Sequence, residues 1–150
     1  MAYVYDDSGE HDELPSRDMV LARLERWRQR LSDLYARIEG WLPETAAAVR
    51  GQSLPYQSPL MKAVGIAPVR LPTLTVRWNG GAELRVKPEA LWMIGGNGQV
   101  RLSIIGGDGV TLVDAGTDDA PDWMVYPRRD PTRRHRFGPE ELRHILAEAR

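Results

Sequence analysis

The residues best suited to chemistry stand near the C-terminus, in the run Arg128-Arg129-Asp130-Pro131-Thr132-Arg133-Arg134-His135-Arg136-Phe137. Guanidinium groups bind phosphate in a bidentate fork, and His135 or Phe137 could stack on a base. Arg128, Arg129, Arg133, Arg134 and Arg136 are therefore candidate nucleic-acid contacts. The same run also reads as a basic loop neutralised by the acidic residues just before it. Residues 114–122 carry Asp114, Asp118, Asp119 and Asp122 and no base. Their carboxylates suit a hard cation, but the spacing lacks the glycine and terminal glutamate of a calcium loop. A solvated acidic loop is the simpler expectation, and no metal is expected.

Two glycine-rich runs, Ile94-Gly95-Gly96-Asn97-Gly98-Gln99 and Ile105-Gly106-Gly107-Asp108-Gly109-Val110, repeat eleven residues apart. A phosphate cradle would precede a helix N-terminus, whose N–H groups hold the anion. Both runs lead into strands, so turn chemistry used twice is the expected role. Three histidines, His11, His135 and His144, complete the inventory of acid–base groups. No metalloprotease, nucleophile-elbow or Walker pattern is present, and a grouping of His135, Asp130 and Ser103 has no support in spacing. No catalytic residue and no cofactor is expected. The tryptophans, Trp27, Trp41, Trp78, Trp92 and Trp123, all fall in apolar patterns, which favours core or interface over a ligand site.

The elements that must position these groups are led by a helix over about Asp18 to Leu42. Val20, Leu24, Trp27, Leu31, Leu34, Ile38 and Trp41 recur at spacings of four and three, an a/d stripe over three heptads. Leu21, Tyr35 and Leu42 widen it; Arg23, Arg26, Arg30, Arg37 and Glu39 lie off it. So broad an apolar face needs a cover, either the chain's own sheet or a second subunit. Ser16 is the expected N-cap, and Pro43 the stop. Glu44–Arg50 reads as two further helical turns closed by Gly51. The prolines of residues 51–72 indicate a packed irregular connection.

Alternation then predicts strands. Leu74, Val76 and Trp78 alternate with polar neighbours, Asn79-Gly80-Gly81 turns the chain, and Leu84 and Val86 return it to a stop at Pro88. Leu91–Ile94, Gln99–Ile105, Val110–Val113 and Trp123–Tyr126 follow as strands or short apolar pieces. Gly138-Pro139 opens a terminal helix carrying Leu142, Ile145, Leu146 and Ala149. Runs of one element type indicate an α+β class: a long N-terminal helix packed on an antiparallel meander of about five or six strands, with a short C-terminal helix. Residues 16–150 are expected to form one domain behind an acidic arm, Met1–Pro15.

The run Leu24, Trp27, Leu31, Leu34-Tyr35, Ile38, Trp41-Leu42, then Lys87-Pro88, then Ile94-Gly95-Gly96-Asn97-Gly98-Gln99-Val100, resembles a group of small bacterial proteins of unknown function. These pair a Trp/Leu/Tyr helix with a β-region containing a Gly-rich turn. Gly98-Gln99 departs from that group, which tends to Gly-Arg at this point. The resemblance implies a fold and no activity.

Composition sets the remaining bounds. A chain of 150 residues with net charge −1 has no global attraction to nucleic acid or membrane. The absence of cysteine removes thiolate chemistry and fits a reducing, cytoplasmic setting. No apolar run approaches the ~20 residues that span a bilayer, and residues 1–18 do not have the pattern of a signal peptide. The expectation is a non-catalytic interaction protein that self-associates, as a homodimer, or docks on a larger protein through the Val20–Trp41 stripe. The alternative is a nucleic-acid-binding accessory protein using the Arg128–Arg136 loop.

Overall fold

A computed structural model describes residues 15–78, 80–90, 97–107, 109–117, 119–127 and 133–148. Helix α1 spans Arg17–Trp41, and the Ser16 hydroxyl caps it by accepting from the Met19 N–H at 3.2 Å. Strand β1 (Ala47–Gln52) follows, then a five-residue helix α2 (Pro59–Ala63). Strands β2 (Pro72–Trp78), β3 (Ala82–Ala90), β4 (Gln99–Ile104), β5 (Gly109–Asp114), β6 (Trp123–Pro127) and β7 (His135–Arg136) come next, and helix α3 (Pro139–Glu148) ends the described chain. The seven strands form one antiparallel sheet in strict sequence order. The α+β class, with a long first helix, a meander and a short last helix, is therefore as expected.

Three details differ from the pattern reading. Glu44–Arg50 is not helical: Ala47–Gln52 pairs with β2, from Ala47 opposite Arg77 to Gln52 opposite Pro72. The alanines favour helix only by fractions of a kcal/mol, and a ladder along an open sheet edge outweighs that. Pro88 does not end β3, because the strand continues to Ala90 through a register shift between Pro88 and Ala90; a bulge accommodates the missing N–H. Within the irregular connection, Ser58 and Pro59 start α2 as N-cap and first helical residue, and Leu60 and Met61 are fully buried. Leu91–Ile94, Asn79, Asp108 and residues 1–14 lie outside the described residues.

The core explains the layers. Leu74, Val76, Trp78, Leu84, Val86, Val100, Leu102, Leu112, Trp123 and Val125 share one sheet face by register. They form a single apolar cluster with the buried residues of α1 and α2 and with Phe137, Leu142, Ile145 and Leu146 at the C-terminal end. Arg50 of β1 ties that edge strand to α1 through Glu39, with Nη2 at 2.6 Å and Nε at 2.8 Å from Oε1. Tyr35 is buried in α1 and donates to the Pro72 carbonyl at 2.8 Å; burial pushes its hydroxyl well above the ordinary tyrosine range.

Candidate binding surface

The α1 stripe faces inward. Val20, Leu24, Trp27, Leu31, Leu34 and Ile38 are each 3 % exposed or less, covered by the sheet of their own chain. Of the seven stripe residues only Trp41 remains half-buried, packed edge-on against Phe137 at 5.6 Å. The residues assigned to docking are thus core, because a sheet face can satisfy the same a/d side chains as a partner helix.

Arg30, placed off the stripe, is buried as well, at 6 % exposure, and forms an ion pair with the fully buried Asp114. Asp114 holds its side of the loop together. Its Oδ2 accepts from Arg30 Nη1, and its Oδ1 accepts from the Gly116 and Asp122 N–H groups at 3.0 and 2.9 Å. Arg30 Nη2 also donates to the Thr117 carbonyl at 2.5 Å, and Asn97 Nδ2 donates to the Gly116 carbonyl at 2.7 Å. Asp114 is therefore the internal anchor of the acidic loop and is not a solvated carboxylate. The parity of β5 carried the signal, because Asp114 follows the inward Leu112 by two residues. Arg30 carried one too, standing three residues after Trp27 and four before Leu34.

The first glycine-rich run serves the same anchor. Asn97 N–H donates to the Asp114 carbonyl at 2.8 Å, and Asp114 N–H donates to the Gly98 carbonyl at 3.0 Å. Gly98 has φ +144°, and a Cβ on it would overlap the Trp27 ring. Trp27 in turn tilts against Trp123, with centroids 6.0 Å apart. This glycine permits close packing, and its carbonyl and the neighbouring N–H are committed to Asp114; Ile94, Gly95 and Gly96 lie outside the described residues.

The arginine run is described only from Arg133 onward. Arg128, Arg129 and Asp130 lie outside the described residues. Arg133 and Arg134 are exposed. Arg136 Nε pairs with Asp122 Oδ1 at 3.2 Å, the neutralisation by the acidic loop that the alternative reading of the run anticipated. His135 shares a ring nitrogen with Glu141 Oε2 at 2.6 Å, its other nitrogen meets the Arg133 carbonyl at 3.0 Å, and it lies opposite the inward Val125. Ser103 pairs with Arg85 and Gly109 on the opposite sheet face, so it cannot join His135. The Arg133 carbonyl, helped by the Glu141 carboxylate and opposed by partial burial, raises the His135 pKa above its ordinary 6.5. A raised folded value means that the stabilisation is complete below the unfolded value and fades as pH rises through the folded one. Thermal stability is therefore expected to fall slightly as pH rises from about 6.5, and Glu141→Gln should bring the His135 titration, read by NMR, to lower pH.

Among the described residues, no group of three His, Cys, Asp or Glu could hold a metal ion, and no helix is long and apolar enough to cross a membrane. A groove of about 400 Å³ runs between the end of α1 and α3, lined by Trp41, Pro43, Trp78, Pro139 and Arg143 among others. The Trp78 indole N–H is buried there without a hydrogen-bond partner.

The face of the sheet turned from the helices carries the charge. By register its middle rows read Val49, Thr75, Arg85, Ser103 and Gly109, then, with the β2–β3 register continued one step past Leu74–Val86, Gly51, Thr73, Lys87, Arg101, Thr111 and Tyr126. None of these belongs to the apolar core cluster. The two rows hold three cations and five hydroxyls and no carboxylate. Glu83 and Glu89 stand outside the rows, at either end of β3. Glu83 is held below the ordinary carboxylate range chiefly by its hydrogen bond from Arg77, with Arg85 adding to it. Thr73, Thr75, Arg85 and Lys87 alternate with core residues along their own strands; only pairing across strands assembles them into rows.

No protein-family profile, curated protein or solved structure matches this chain.

Proposed function

We propose that this chain is a non-catalytic binding protein that engages an anionic partner on the outward face of its sheet. The observation that carries this reading is the pair of rows bearing Arg85, Lys87 and Arg101 with Thr73, Thr75, Ser103, Thr111 and Tyr126 and no carboxylate. The outward face sets Arg77, Arg85, Lys87 and Arg101 against Glu83 and Glu89, and such a local excess of positive charge raises the local concentration of counter-charged partners even where the net charge is −1. The Arg101–Glu89 pair, at 3.4 Å, is exposed, and the Arg85–Glu83 pair, at 2.9 Å, is exposed on its arginine side. Such pairs contribute only ~0–1 kcal/mol, so an incoming anion can take their place. Retention on immobilised heparin is the test. The native chain should elute at clearly higher salt than an Arg85→Glu, Lys87→Glu, Arg101→Glu variant with the same circular dichroism; co-elution would end the reading.

A second reading keeps a protein partner or a second copy, moved from the α1 stripe to the sheet edge. β1 is the first strand of the sheet, and Val49 on it and Leu54 just beyond it are 64 % and 83 % exposed. An unprotected edge accepts an added strand. Light scattering over a concentration series would then give a homodimer that Val49→Lys returns to monomer; a monomer throughout would remove self-pairing.

A further inference from the structure

We infer that the anionic partner is single-stranded nucleic acid, with phosphates on Arg85, Lys87 and Arg101 and a base against Tyr126. The inference rests on the reading that the outward face is a binding surface for an anion. Lys87 and Arg101 are directly opposed across β3 and β4. Like charges so placed destabilise a sheet; Glu89 offsets Arg101 through an exposed pair at 3.4 Å, and an anion between Lys87 and Arg101 would be attracted to both. Lys87 is exposed and has no ion-pair partner among the described residues. Thr111 pairs with Arg101, and continuing the β2–β3 register one step past the Leu74–Val86 pair sets Thr73 level with Lys87, so a hydroxyl flanks the pair on either side. Hydroxyls donate to phosphate oxygens without adding charge. Tyr126 lies opposite Thr111 at the far end of that row and is half-buried; an aromatic residue at that place suits the stacking of a base.

Dimensions select the strand over the duplex. From Thr73 on β2 to Tyr126 on β6 the row crosses four strand spacings, or ~19 Å at about 4.8 Å each. A major groove about 12 Å wide admits a two-stranded ribbon and not a sheet of that breadth. A flexible single strand can lie along the row, presenting phosphates to the cations and bases to the aromatic end. A lipid surface is less well matched, because the middle rows offer no bulky apolar side chain apart from Val49 at one edge.

The test is fluorescence anisotropy with labelled oligothymidylate, with its duplex, and with phosphatidylserine vesicles as a third arm. The single strand should bind at least about tenfold more tightly than the duplex. With three phosphates engaged, the log–log salt slope should be about −2. Lys87→Glu with Arg101→Glu should lower affinity at least tenfold, and the milder Lys87→Gln with Arg101→Gln should lower it and flatten the slope. Tyr126→Ala should cost about tenfold, while Arg133→Ala with Arg134→Ala should leave binding unchanged. No strand binding, with heparin retention intact, would overturn the partner and leave the binding surface standing. Equal or better duplex binding, preference for vesicles, or loss confined to the Arg133/Arg134 variant would each overturn it too.

Discussion

Asp114→Ala is expected to destabilise the protein by about 3–5 kcal/mol, the range for stripping one partner from a buried ion pair. The substitution leaves Arg30 charged at 6 % exposure. It also removes the acceptor for the Gly116 and Asp122 N–H groups. Replacement of a buried pair by apolar residues is often neutral, but here Arg30→Met with Asp114→Leu should remain destabilised, because those two N–H groups still lose their acceptor. Arg30→Met alone should cost less than Asp114→Ala, since the backbone donors keep Asp114 partly satisfied. Urea denaturation of the three variants checks the order. An Asp114→Ala variant within about 1 kcal/mol of the native chain would mean that the 114–122 loop relaxes to admit water, and that the anchor is not structural.

Gly98→Ala is expected to cost on the order of 3 kcal/mol or to prevent folding. Two penalties combine: a φ of +144° that L-residues rarely adopt, and a Cβ driven into the Trp27 ring. Each is worth about 1–3 kcal/mol. Trp27→Ala by itself should cost ~3–5 kcal/mol, because the ring is 1 % exposed and its loss leaves a cavity. Coupling separates the causes. In a Trp27→Leu background, Gly98→Ala should lose the steric part and keep the backbone part, a non-additivity of about 1–3 kcal/mol in a double-mutant cycle. Strict additivity would show that the ring and the glycine do not constrain each other.

These two sites mark the boundary of what can be read from one dimension. The a/d spacing of Val20 to Ile38 announced a buried face, yet it could not say what covers it, because a partner helix and a sheet make the same demand on those side chains. Arg30 lies off the a/d stripe, yet its position between Trp27 and Leu34 sets it at the margin of the buried face. Its counter-ion stands 84 positions away, at a distance no local pattern spans. Asp114 was grouped with Asp118, Asp119 and Asp122 as an acidic loop, and the two-residue period of β5 would have separated it. Gly98 is legible as a residue for an unusual backbone conformation, but its close approach to an indole depends on where α1 crosses the sheet.

The sequence by itself determined the class of the fold, the extent of α1, most strand positions, the N-cap at Ser16, the start of α3 at Pro139, and the absence of cysteine. Each of these depends on period, propensity or residue type, which are properties of neighbours along the chain. Tertiary structure alone decided that the tryptophan stripe is core, that β1 is a strand, and that Arg30 and Asp114 meet in the interior. It also decided that Arg85, Lys87 and Arg101 lie in adjoining rows free of carboxylate. Register sets those rows: shifting any strand by one residue would turn its outward cations toward the core, and register is fixed by apolar side chains on the opposite face, far apart in sequence.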